Sequence, residues 1–333
     1  MKKSLQKMLG KEEWQQVSKR SQPEELKPML ATLTHNHFSD PNWVFERKLD
    51  GERVLAFRKN DKVRLLTRNG KNINASYPEI VEALEQADAS DLIVDGEIVA
   101  FSGKVTSFSR LQQRMQVKDP GAARATGIKV YCYLFDILQA DGYALEDLPL
   151  RSRKKVLRQL LVFDGPLRFT PHRNTEGEAY HAEACEKGWE GIIAKRADSR
   201  YEHTRSRDWL KFKCHKGQEL VIGGFTEPEG SRVGFGALLV GYYDGDDLRY
   251  AGKVGTGYDD EFLHDFRQRL DRISRASSPF ADELPNAESV TWVTPKLVGE
   301  FGFTEWTDAG KLRHPRFLGL RRDKEAGNVV RED

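Results

Sequence analysis

Lys48 stands in the stretch "ERKLDGERV", with Asp50 two residues on and Gly51 after it. A lysine so placed is either a surface residue beside an Asp-Gly turn or a nucleophile, and the rest of the chain has to decide between them. An amine attacks only when unprotonated, and a free lysine titrates at about 10.4. A nucleophilic Lys48 therefore requires partial burial or neighbouring cations to bring its pKa down. Arg53, Lys211, Lys213 and a bound metal are the candidate cations. Arginine could not take the place of Lys48, because it stays protonated.

K-x-D-G alone is a weak signal, and the ordered motifs downstream of it carry more weight. "DGEIVAF" offers Glu97, and "YLFDIL" offers Phe135. "EGIIAKR" holds Glu190 and Lys195, five apart and near opposite ends of one expected strand. "WLKFK" holds Lys211 and Lys213, two apart and so on one face of a strand. All lie on expected strands of the first two thirds of the chain and can converge on one cleft.

The framework around these residues opens, over residues ~1–30, with a short polar helical lead-in. From Trp43 the chain alternates apolar and polar residues, with "NDK" and "RNG" as turns, which predicts antiparallel strands. "YPEIVEALEQA", "SFSRLQQRM", "LPLRSRKKVLRQLL" and "EGEAYHAEACEKG" read as helices, the last closed by glycine. "DLIVDGEIVAF" reads as strand, then an Asp-Gly turn or bulge, then strand, and "IKVYCYLFDIL" as a strand buried on both faces. Near Gly217 the character changes to short, closely spaced strands with one helix, "DDEFLHDFRQRLDRI", which suits a small Greek-key barrel of OB type. The expected domains are 1–216 and 217–333.

The length of 333 residues suits two domains. Charged residues make up 31% and mean hydropathy is −0.63, so the surface is wet. No apolar run reaches the ~20 residues that cross a bilayer, and the basic N-terminus lacks the apolar core of a secretory signal. Cys132, Cys185 and Cys214 form no CxxC pair and no zinc spacing, and are expected as reduced thiols of a cytosolic protein. The eight histidines show no pair with metal-ligand spacing near the motifs. Net charge is +2, but residues 190–216 hold eight Lys and Arg against four Asp and Glu, and residues 310–324 hold six against one. Positive charge gathered in two runs of a near-neutral chain points to a polyanionic partner.

The ordered set "KLDG", "TRNG", "DGEIV", "YLFDIL", "EGIIAKR" and "WLKFK", with "RHPRFLGLRRDK" after it, resembles the motifs of covalent nucleotidyltransferases, specifically ATP-dependent DNA ligases. The resemblance covers roughly Lys27 to Asp333 and is nearest to the ligase domain of bacterial end-joining ligases. It implies an α+β fold, a nucleotidyltransferase domain of ATP-grasp-like antiparallel sheets with helices, followed by an OB-fold barrel. It also implies three transfers: Lys48 takes AMP from ATP, AMP passes to the 5′-phosphate of a nick, and the 3′-hydroxyl displaces it.

The same resemblance implies a role for each residue. Glu97 and Glu190 are expected to hold Mg²⁺ or Mn²⁺, whose hard charge suits carboxylate oxygens. Asp50 positions a metal-bound water or helps the 3′-hydroxyl lose its proton, or else simply stabilises a turn. Lys195, Lys211 and Lys213 hold the α-phosphate. Arg68 contacts the nick phosphate and Arg53 the ribose. Phe135 stacks on adenine, or else is a plain core residue, and Glu46 accepts from the adenine amino group. Arg316, Arg321 and Lys324 clamp the β- and γ-phosphates, which requires a hinge near 216–218. Arg196, Arg200, Arg205 and Arg207 are expected on DNA phosphates.

The expected partners are nicked or broken double-stranded DNA and a Ku-type end-binding protein, with no membrane. The expected setting is a monomer in the bacterial cytoplasm, associated with the nucleoid. Only 47 residues precede Lys48, too few for the large helical DNA-binding domain of replicative ligases, so a stand-alone minimal core is expected. An RNA ligase or capping guanylyltransferase remains open within the superfamily, as does a non-catalytic nucleic-acid-binding module.

Overall fold

The alternation that starts at Trp43 becomes three strands, Trp43–Arg47, Glu52–Lys59 and Lys62–Thr67. The first of these belongs to one sheet and the other two to another, so Lys48–Gly51 is the crossing between sheets. The computed structural model describes residues 5–89, 91–115, 117–214, 217–284 and 289–332, and the chain divides into two units, 1–214 and 215–333.

In the first unit the smaller sheet runs His172–Asn174, Trp43–Arg47, Gly191–Arg196, Arg205–Lys213, Leu30–Leu33. The larger sheet is built around Val130–Ala140, Asp91–Ser102, Glu52–Lys59 and Lys62–Thr67. Both are mixed rather than antiparallel as expected: Leu30–Leu33 runs parallel to Arg205–Lys213, and Leu167–Phe169 parallel to Val130–Ala140. Pairing direction depends on long connections that local alternation does not report.

Leu55, Phe57 and Phe135 of the larger sheet pack with Tyr201 and Trp209, the latter on the smaller sheet, to form the core that fixes the sheets against each other. Burying each such side chain contributes about 1.5–3 kcal/mol. On its other side the larger sheet packs on helices Pro78–Glu85 and Leu150–Leu160 through Ile80, Leu84, Val156 and Leu157.

Gly51 and Gly96 of the motifs allow close approach of the backbone. A Cβ on Gly51 would stand 2.1 Å from the carbonyl oxygen of Ile98, so the chain can enter the larger sheet there only without a side chain. The Asp-Gly of "DGEIV" is a bulge in one continuous strand, Asp91–Ser102. Its register with Val130–Ala140 shifts between Asp95 and Gly96, and a Cβ on Gly96 would meet Tyr133 O at 2.8 Å.

The lead-in differs from expectation. Among the described residues its helices are Leu5–Met8 and Lys11–Gln16, with largely extended chain after them, and Leu5, Met8 and Leu9 are buried in the first unit's core.

The second unit is an antiparallel sheet ordered Asp247–Val254, Leu238–Asp244, Gly217–Thr226, Val290–Gly302, Ser274–Arg275, with Arg316–Arg321 also on Val290–Gly302. Helix Asp260–Asp271 is capped by the Asp259 side chain and buries Leu263, Phe266 and Leu270 against Phe235 and Phe301. The hinge expected at 216–218 falls in part outside the described residues. No helix among the described residues is long and apolar enough to cross a membrane.

Candidate active site

Lys48 comes directly after the Trp43–Arg47 strand, and its amide donates to the carbonyl of Gly191, which opens the next strand of the same sheet. That register brings Glu190 to the lysine: Lys48 Nζ and Glu190 Oε1 are 2.5 Å apart. Gly191 in turn lies opposite Lys213 on the third strand. Both side chains of the pair keep some access to solvent, 19% for Lys48 and 27% for Glu190, so a substrate phosphate can reach the amine.

The charge state of Lys48 departs from expectation. Burial favours the neutral amine and Lys213 pushes the same way, but the Glu190 carboxylate, assisted by Asp50, outweighs them and raises the pKa above its ordinary value. Arg53, expected from sequence as a depressing cation, is bound elsewhere. The Asp50 amide donates to the Thr106 hydroxyl at 3.3 Å, which ties the crossing between sheets to the short strand at Val105–Thr106.

One residue before Arg47, Glu46 is 2% exposed and bridges two lysines. Lys195 Nζ lies 2.6 Å from one oxygen, and Lys154 Nζ donates to the other and to Thr170 O. Burial alone would raise the Glu46 pKa, but the two ammonium groups override it and hold it low. Burial pushes Lys195 down to about 8, with Glu46 resisting and Lys154 assisting. In this structure Lys195 is engaged with Glu46. Its Nζ faces Glu46 and lies 4.1 Å and 4.0 Å from the ring centres of Phe135 and Trp209.

Arg53 is likewise committed. It forms a two-pronged pair with Asp95 at 2.5 and 2.7 Å and donates to Met29 O, while Tyr201 donates to the same carboxylate at 2.5 Å. Its guanidinium lies 4.6 Å from the Phe135 ring centre. Phe135 itself is 7% exposed and packed edge-on to Trp209. Glu97 lies opposite Arg53 on the adjacent strand, next to the bulge at Gly96. Glu97 and Glu190 supply hard carboxylate oxygens of the kind that Mg²⁺ or Mn²⁺ takes.

Arg68 comes after the Lys62–Thr67 strand, in the turn closed by Gly70 N to Thr67 O. Lys211 lies mid-strand opposite Ile193. Among the expected DNA contacts, Arg196 pairs with Asp198, Arg200 with Asp147, and Arg205 donates to Ala31 O. In the second unit, Arg316 opens its strand and is exposed. Arg321 is paired with Asp323 at 2.9 Å and lies 3.7 Å from Glu300, and Lys324 is 2.9 Å from Glu219. The charges of Arg321 and Lys324 are thus paired within their own unit in this structure.

Lys154, Asp95, Tyr201 and Trp209 were not singled out by sequence reasoning. Asp95 and Trp209 lie inside the quoted motifs and could have been. Lys154 left no signal beyond a lysine on the buried side of an amphipathic helix. The cysteines also differ from the expected reduced thiols: Cys185 and Cys214 form a disulfide, and only Cys132 is free. His181, Cys185 and Cys214 have donor atoms within 4.8 Å of one another, a grouping that pairwise histidine spacing missed. With the two sulfurs bonded to each other, no thiolate is left there for a metal.

Residues 28–213 match the family model for an ATP dependent DNA ligase domain, and residues 231–324 that for the ATP dependent DNA ligase C terminal region. The chain is 38% identical over 318 residues to the multifunctional non-homologous end joining protein LigD of Pseudomonas aeruginosa, covering 93% of this chain and 37% of that protein. It thus spans about two fifths of the length of the LigD relatives it matches. Among solved structures it is similar to a mycobacterial DNA ligase D complexed with ATP and MES, at 34% identity and a TM-score of 0.67 over 94% of this chain and all of the other. It is also similar to the ligase domain of Mycobacterium tuberculosis LigD, at 35% identity and a TM-score of 0.51 over the same shares.

Proposed function

This chain belongs to the ATP-dependent DNA ligase family, and on that premise we propose that it seals 3′-hydroxyl/5′-phosphate breaks in double-stranded DNA through an AMP carried on Lys48. The observation that carries the reading is the pairing of Lys48 with Glu190 at 2.5 Å, in a lysine that keeps some access to solvent.

In the first transfer Lys48, paired with Glu190, gives up its ammonium proton to solvent. The freed amine attacks the α-phosphorus of ATP, a P–N bond forms, and pyrophosphate leaves. Lys213, across the register from Gly191, offsets charge on the phosphate. The Glu46 carboxylate, held ionised by Lys154 and Lys195, accepts from the adenine amino group, and Phe135 supports the base. AMP then passes to the 5′-phosphate of the break, and the 3′-hydroxyl attacks that phosphorus and displaces AMP. Mg²⁺ or Mn²⁺ held by Glu97 and Glu190 would stabilise charge on the phosphates.

The second unit is read as an OB-type barrel, on its antiparallel sheet and the helix Asp260–Asp271. Repair by end joining, with a Ku-type partner delivering the ends, is proposed from the similarity to LigD proteins. Incubation with α-labelled ATP and a divalent metal tests the central step. Wild-type protein takes up covalent label that nicked DNA chases off as free AMP while the strand is sealed, and Lys48→Ala takes up none. No label on wild type, or equal label on the variant, overturns the proposal.

A further inference from the structure

Helix Gly177–Glu186 carries His181 and Cys185 four residues apart, hence on one face. Strand Arg205–Lys213 ends beside that face and delivers Cys214, its Cα 5.2 Å from that of Cys185. His181 Nε2 lies 3.5 Å from Cys185 Sγ and 3.3 Å from Lys213 O. All three side chains are half-buried, so a small reagent can reach the sulfurs. Cys132 is the contrast within the same unit: fully buried, with burial pushing its thiol well above the ordinary range.

We propose that Cys185 and Cys214 form a reversible dithiol–disulfide site, with Cys185 as the attacking thiol and His181 as its base, closed by low-molecular-weight disulfides. A thiolate is the reactive form, and a neighbouring imidazole that takes the thiol proton favours it. The Cys185 thiolate attacks one sulfur of the small disulfide, forming a mixed disulfide and releasing one small thiolate. The Cys214 thiol then attacks the Cys185 sulfur, closing the protein disulfide and releasing a second small thiol. Two protein thiols are oxidised and one small disulfide is reduced to two thiols, so electrons and protons balance. A small thiol in excess runs the sequence backwards.

The site is tied to the reacting groups. Cys214 is the residue directly after Lys213, and its amide donates to Glu190 O at 3.0 Å. The closed form therefore links the helix to the strand end where Lys213 lies and to the residue paired with Lys48.

The test uses the full chain, reduced, freed of reductant and given oxidised glutathione. Samples are quenched with an alkylating reagent, denatured, and mapped by mass spectrometry. Wild type is expected to lose alkylation at Cys185 and Cys214 together and to yield the linked peptides, while Cys132 remains a thiol. Cys214→Ser is expected to stop at a glutathione adduct on Cys185. His181→Gln is expected to close about tenfold more slowly and to the same end point. Persistent alkylation of both wild-type cysteines overturns the site. An adduct on Cys214 but none on Cys185, in the single serine variants, overturns the assignment of the attacking thiol. Closure of His181→Gln at the wild-type rate overturns the role of His181.

Discussion

The Glu190 carboxylate, 2.5 Å from Lys48 Nζ, holds that lysine in its ammonium form against burial and Lys213, both of which favour the free amine. Glu190→Gln removes the largest effect that raises the lysine. Its pKa is then expected below rather than above the ordinary value, and labelling of Lys48 by an amine-acylating reagent, read by peptide mass spectrometry, should shift to lower pH. A labelling profile unmoved or displaced to higher pH would contradict the assignment of the raised pKa to this pair.

Lys195, held near 8, is expected to neutralise within the working pH range. Its ammonium, shared with Glu46, is then lost as pH rises through about 8, and the KM for ATP in the adenylylation step should climb by about tenfold on that limb. Lys195→Arg keeps its charge throughout and should flatten the limb. The same limb in both proteins would remove Lys195 from ATP binding.

Gly51→Ala places a methyl 2.1 Å from Ile98 O, against backbone that cannot rotate away. The Glu52–Lys59 strand must shift, at a cost of about 1–3 kcal/mol, or roughly 3–9 °C in the melting of the first unit. Covalent AMP uptake should fall with it, because Lys48 lies in the same crossing between sheets. Wild-type melting with wild-type uptake would show that the approach is not as close as described.

Arg153 and Asp136 form a pair with no exposure on either side, and Arg153 also donates to Leu148 O and Ser199 O. Arg153→Met leaves a buried carboxylate uncompensated and is expected to cost about 3–5 kcal/mol in urea unfolding. Adding Asp136→Asn should recover part of the loss, since the stranded charge is gone. No recovery in the double variant would locate the cost in the carbonyl contacts instead.

Legibility was uneven for physical reasons. The Asp91–Ser102 strand could be read because a strand buried on both faces leaves a near-continuous local run of apolar residues, and Lys211 and Lys213 could be set on one face of Arg205–Lys213 because a strand repeats every two residues. The parallel edge formed by Leu30–Leu33 could not, since Arg205 of its partner strand meets Ala31 across 174 positions and nothing in so short a strand records direction. The Asp-Gly pairs at Asp50 and Asp95 looked alike in sequence, yet one begins a strand against Ile98 and the other is a bulge facing Tyr133.

The roles proposed for Lys48, Glu97, Glu190, Lys211 and Lys213 rest on residue type and order in the sequence, because transfer of a nucleotide calls for a nucleophilic amine, hard carboxylates and cations. Their charge states were decided only by the tertiary structure. Lys48 is raised rather than lowered, Lys195 is lowered beside Glu46, and Arg53 is spent on Asp95. Lys154 reaches Glu46 across 108 positions and Cys185 reaches Cys214 across 29. Electrostatic coupling and covalent bonding act over a few ångströms of space, and distance along the chain does not encode which groups the folded sheets bring that close.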